Sequence, residues 1–124
     1  MQALLVAVGG AVGSLARYYV GLWSLKLAGP GFPWGTLSVN IVGSFLIGLL
    51  AELIARKWGG SVELRLLLIT GFLGGFTTFS AFSLDAMALY EGGKAMAALI
   101  YMAASIAISM AAVVAGLSLV RALV

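Results

Sequence analysis

The sequence predicts an all-α integral membrane protein with four transmembrane helices, the third of them broken near its middle. Three observations carry that prediction. The chain has 124 residues, of which 63% are hydrophobic and only 9% charged, and its mean hydropathy is +1.16; this excludes an ordinary water-soluble domain. Its apolar residues fall into four runs, 3–25, 34–55, 64–89 and 95–120, each at or above the roughly 20 residues that cross a bilayer as helix. The third run contains Gly-Phe-Leu-Gly-Gly-Phe-Thr-Thr-Phe-Ser-Ala-Phe-Ser at residues 71–83, a poor sequence for an uninterrupted helix. Little is left for an extramembrane domain, so residues 1–124 are read as a single four-helix transmembrane domain.

The first run has no Lys or Arg before it and reads as a spanning helix rather than a cleaved leader. Gly9, Gly13 and Arg17 follow at spacings of four, with Gly10 and Ser14 beside them. Such a smooth face lets helices approach closely, so packing accounts for the glycines. Arg17 is different, because a charge within a span costs about 2.5 to 3.5 kcal/mol and must face a partner, a cavity or the interface. Snorkelling to the interface and a functional role both remain open for it.

The second run places Thr36, Asn40 and Ser44 on one side of a helix, again at spacings of four. Interhelical hydrogen bonding suffices for the Thr and the Ser. Asn40 must satisfy two amide donors and a carbonyl in mid-span, which marks it as the stronger functional signal. The fourth run repeats the spacing with Tyr101, Ser105 and Ser109, whose hydroxyls form a candidate ladder of uncharged donors. Small contact residues among alanines would be the plainer explanation of the two serines.

In the third run, Gly74 and Gly75 withdraw side-chain support, while Thr77 and Thr78 can bond to backbone carbonyls. The helix is therefore expected to open around residues 74–78. Each unsatisfied backbone group in hydrocarbon costs several kcal/mol, so an opening survives only where protein, water or an ion satisfies it. Freed carbonyls there are hard ligands suited to a monovalent cation. Phe76, Phe79 and Phe82 recur every three residues, a pattern usual in cores, yet electropositive ring edges beside Asn40 also suit an anion.

The segments between runs are short and carry Gly29-Pro30-Gly31 with Pro33, Gly59-Gly60, and Gly92-Gly93, so sequential helices should be antiparallel neighbours. Trp23, Trp34 and Trp58 lie near run ends, where indoles sit at membrane interfaces. One side carries Arg56, Lys57, Arg65 and Arg121 against Lys26 and Lys94 on the other, too small a bias to impose one orientation. A four-helix bundle has no room for an aqueous pore, so transport calls for an oligomer. Two chains of opposite orientation would meet about an axis in the membrane plane.

With no cysteine and no histidine, disulfides, thiolate metal sites and imidazole proton carriers are excluded. The net charge of +3 is dispersed and points to no nucleic-acid partner. No nucleophile with an adjacent base, metal cluster or phosphate loop suggests an enzyme. The expected partners are the lipid bilayer, ions and a second copy of the chain.

Three segments together resemble the Fluc (CrcB) fluoride channels: Gly-Gly-Phe-Thr-Thr-Phe-Ser-Ala-Phe at 74–82, Pro-Trp-Gly-Thr-Leu-Ser-Val-Asn-Ile-Val-Gly-Ser-Phe at 33–45, and Gly-Gly-Ala-Val-Gly-Ser-Leu-Ala-Arg-Tyr at 9–18. The likeness covers essentially the whole chain. It implies an antiparallel dual-topology homodimer in a prokaryotic plasma or inner membrane, with two fluoride pores and a structural Na⁺ at the dimer centre. By the same resemblance, Phe79, Phe82 and Asn40 line the pore, Thr36 belongs to a vestibule, and Tyr101, Ser105 and Ser109 form a polar track. The backbone carbonyls of Gly74 and Thr77 would hold Na⁺, and Arg17 would be the family's first-helix arginine. Ala81 departs from the pattern, since many members have Thr there. The competing class, a proton-coupled small multidrug exporter, needs a carboxylate deep in the membrane. Glu52, Glu63, Asp85 and Glu91 all read as lying towards run ends.

Overall fold

The computed structural model describes residues 1–124 and is entirely helical. Four spans are long and apolar enough to cross a membrane: Gln2–Ala28, Trp34–Arg56, Val62–Glu91 and Ala95–Leu123. Their ends fall within a few residues of the apolar runs, because the loops between them begin where glycine, proline and charge interrupt the hydropathy. At Gly59 and Gly60 the backbone turns through φ of 67° and 65°, a conformation open to glycine at little cost. The third span then starts on Ser61, whose Oγ accepts the Leu64 N–H at 3.2 Å and caps the helix end.

That span is the irregular one. After a single α-helical turn at Val62–Leu64, residues Arg65–Leu73 form a π-helix, which nothing in the sequence pattern foretold. A short α-helical turn follows at Gly74–Phe76, residues 77–79 are non-helical, and helix resumes over Ser80–Glu91. The break is thus real and takes in Thr77 and Thr78, as the sequence predicts, while Gly74 and Gly75 before it stay helical. Gly74 itself keeps helical angles, φ −61° and ψ −37°, whereas Thr77 is extended at φ −88° and ψ 160°.

The glycines before the break serve close packing. A Cβ on Gly75 would lie 2.6 Å from the Gly10 carbonyl oxygen and 3.1 Å from the Ser14 nitrogen. Gly9 and Gly13 press in the same way on the backbone of residues 67–72. The small face of the first helix therefore grips the first half of the third span.

Two buried clusters flank the break, and the second helix supplies a residue to each. Val39, Leu73 and Phe76 form one; Leu37, Phe82, Ala86, Leu89, Ala98 and Tyr101 form the other. Only 18 of 124 residues are buried, so most of the apolar surface faces outward, as it must in a chain solvated by lipid or by another protein.

Candidate functional site

The break is built by side chains that outcompete the helix for its hydrogen bonds. Thr77 Oγ1 donates to the Leu73 carbonyl at 2.8 Å, joining the Thr77 N–H on that acceptor at 2.9 Å. Asn40, across on the second helix, accepts the Thr78 N–H on Oδ1 at 2.8 Å and donates from Nδ2 to the Thr78 carbonyl at 3.0 Å. This reciprocal pair satisfies both backbone polar groups of Thr78 in the middle of the break, while one Asn40 N–H remains uncommitted. Thr78 Oγ1 in turn accepts the Ala81 N–H at 3.1 Å and caps the resuming helix. Arg17 closes the other side, its Nε donating to the Gly75 carbonyl at 3.1 Å.

These bonds leave two carbonyls without their helical donors. The Thr78 N–H, which would bond Gly74 in a continuous helix, is turned to Asn40. The Ala81 N–H, which would bond Thr77, is taken by the Thr78 hydroxyl. Gly74 and Thr77 both line a groove of about 400 Å³. Asn40, Ser44, Phe79, Phe82, Ser105 and Ser109 line it too.

The serine hydroxyls are the unusual groups in that groove. Both Ser105 Oγ and Ser109 Oγ are buried and have no hydrogen-bond partner in the chain. An orphaned buried hydroxyl costs about 1 to 3 kcal/mol, so two on one wall ask for a ligand to receive them. The Phe79 and Phe82 rings meet at 5.6 Å between centroids. Phe82 is 8% exposed, but Phe79 is 78% exposed and stands out from the single chain.

A second concavity, about 810 Å³, opens beside the groove and is lined by Arg17, Thr36, Asp85 and Lys94 among others. Thr36 Oγ1 donates to Asp85 Oδ2 at 2.7 Å, and the Tyr101 hydroxyl donates to the same oxygen at 3.3 Å. Tyr101 is fully buried, with its ring 5.2 Å from that of Phe82. Phe82 in the groove and Asp85 in the wider cavity are three residues apart on one helix, and Tyr101 touches both.

Residues 4–117 match the family described as CrcB-like protein, Camphor Resistance (CrcB). The chain belongs to the CrcB family. Its CrcB relatives include a fluoride-specific ion channel FluC of Rhizobium leguminosarum bv. trifolii, 72% identical over 123 residues, covering 99% of this chain and 98% of its own. The FluC of Agrobacterium fabrum is 64% identical over 117 residues, 94% of either chain. A FluC 1 of Nitrobacter hamburgensis is 52% identical over 120 residues, 97% of this chain and 95% of its own.

In this CrcB chain, Asn40, Phe79, Phe82, Ser105 and Ser109 come together in one groove, with Gly74 and Thr77 at its edge. Thr36 and Arg17 line the neighbouring cavity instead. Tyr101 stands between the two, its proton committed to Asp85, so the free hydroxyl ladder begins at Ser105. Asp85 is the residue that sequence reasoning passed over. It lies one turn inside the third run, half-buried, and two hydroxyls from other helices converge on it. The one signal in the sequence was a carboxylate inside an apolar run, which needs partners there.

Proposed function

We propose that this CrcB chain is one subunit of a passive, fluoride-selective channel that lets a cell lose fluoride across its plasma or inner membrane. The observation that carries the reading is the pair of partnerless hydroxyls, on Ser105 and Ser109, in a groove that Asn40 and two phenylalanines also line. Fluoride is small and tightly hydrated. Moving an isolated anion into a low-dielectric medium costs on the order of tens of kcal/mol, so a narrow path must replace its water with many modest donors. The serine hydroxyls, the uncommitted Asn40 N–H and the Phe79 and Phe82 ring edges are donors of that kind. A lysine or arginine at the narrowest point would hold the ion too firmly; Arg17 is instead engaged with Gly75. The names of the relatives, fluoride-specific channels over nearly the whole chain, point to the same substrate.

The functional unit in this reading is an antiparallel homodimer with two pores. The groove opens on the side of the chain where Phe79 projects, and a second copy would close it. The near balance of basic residues between the two ends suits insertion in both orientations. A structural Na⁺ fits the dimer centre: Gly74 and Thr77 offer carbonyls whose helical donors are diverted, and two chains would present four such oxygens.

The test is efflux from liposomes containing the purified protein, followed with fluoride and chloride electrodes and no proton gradient. Fluoride should leave far faster than chloride. Equal halide efflux, or fluoride efflux no faster than from empty liposomes, would sink the channel; dependence on a proton gradient would favour an exporter. Ser105→Ala gives an internal check. It removes a hydroxyl that bonds nothing in the chain, so thermal stability should hold or rise while fluoride efflux falls several-fold, by roughly the worth of one hydrogen bond.

A further inference from the structure

We infer that Gly43 on the second helix is a positioning residue for the break: its missing Cβ forms the socket that seats Thr77 and thereby aims the Thr77 carbonyl. Its functional consequence rests on the channel reading above. Gly43 follows Asn40 by three residues, so both lie on the face that meets the third span. A Cβ at Gly43 would overlap Thr77 Cγ2 and come within 3.4 Å of Phe76 Cδ2.

Thr77 cannot easily yield. Its hydroxyl is drawn back to the Leu73 carbonyl at 2.8 Å, which leaves the methyl to point into the space over Gly43. With both branches of the β-carbon fixed, χ1 is fixed, and the side chain can turn only by giving up the Leu73 bond. Phe76 borders the same space, and it packs with Leu73 and Val39 in a buried cluster between the second helix and the third span. The extended Thr77 backbone emerges from this anchored side chain, so the direction of its carbonyl follows from the seating of the methyl. An alanine at position 43 must therefore expel the methyl or push the second helix outward. Pushing it outward would strain the two bonds between Asn40 and Thr78. Asn40 clamps the break by hydrogen bonds, and Gly43 clamps it by shape.

The experiment compares wild type, Gly43→Ala, Thr77→Ser and the double variant, each assayed for fluoride and chloride efflux and for thermal unfolding. Thr77→Ser keeps the hydroxyl and removes the obstructing methyl. Gly43→Ala should lower fluoride efflux about tenfold or more, as an overpacked contact does, and should narrow the fluoride-to-chloride ratio. Whatever Thr77→Ser costs by itself, the double variant should return to that level in efflux and in selectivity. The inference is overturned if Gly43→Ala conducts like wild type. It is equally overturned if the double variant stays as impaired as Gly43→Ala, or if efflux falls only with the amount of folded protein at an unchanged halide ratio. A wild type that does not prefer fluoride defeats the channel reading separately; the unfolding data then still decide whether the two substitutions are coupled.

Discussion

The two halves of the third span are held by different means. Residues 62–76 meet the first helix backbone to backbone, through Gly9, Gly13, Gly71 and Gly75, where even a methyl group finds no room. Ser80–Glu91 meets the fourth helix through side chains, with Phe82, Leu89, Ala98 and Tyr101 packed together. Close backbone contact gives a rigid seat with one register. Side-chain contact allows chemistry, and the Ser105 and Ser109 hydroxyls and the Phe79 ring lie on that second side. One half anchors the break while the other presents it.

The contrast predicts a graded series. The largest effect should come from Gly9→Val, because a Cβ there overlaps the Leu67 carbonyl oxygen and lies 2.8 Å from the Phe72 nitrogen. The backbone cannot step aside as a side chain can, so little monodisperse protein should survive size-exclusion chromatography. A well-folded Gly9→Val protein would break the comparison at its root.

Asn40→Ala comes next, since it orphans the N–H and the carbonyl of Thr78 together, at about 1 to 3 kcal/mol for each group. A clear drop in unfolding temperature and fluoride efflux lowered more than about tenfold are expected. Asn40→Asp should lower efflux at least as far as alanine, because the carboxylate sets an oxygen against the Thr78 carbonyl and a negative charge in mid-span beside the anion path.

Tyr101→Phe probes the side-chain half more gently. The ring keeps its place 5.2 Å from Phe82, and only the 3.3 Å bond to Asp85 is lost. About 0.5 to 1.5 kcal/mol of stability should go, read by thermal unfolding, with efflux changed a few-fold. Smallest of all is Arg121→Gln. Glu52 retains its 2.8 Å pair with Arg56, and the lost partner is exposed, so the unfolding midpoint should stay within error at moderate salt.

Hydropathy made the four spans legible, because lipid requires long apolar runs and the loops are marked by glycine, proline and charge. The break was legible as well, through Thr77 and Thr78, but not the bonds that hold it. Gly74 and Gly75 look like the weak point of an isolated helix, whereas the helix yields where Asn40, 38 residues away, captures Thr78. The π-helix over Arg65–Leu73 left no trace in the residue pattern, since its register depends on packing against the first helix. Asp85 escaped for a similar reason: its partner Thr36 is 49 residues away and on another helix. Residue types and local spacing named most of the groove. What they hid were bonds between spans.

The pairing of Asn40 with Thr78 also makes the break conditional on a neighbour. The two backbone groups that Asn40 satisfies cannot stand bare in hydrocarbon, and no residue of the third span itself satisfies them. Without the second helix beside it, the third span would satisfy the same two groups most simply by closing into continuous helix. The break belongs to the pair of helices and not to the third span alone.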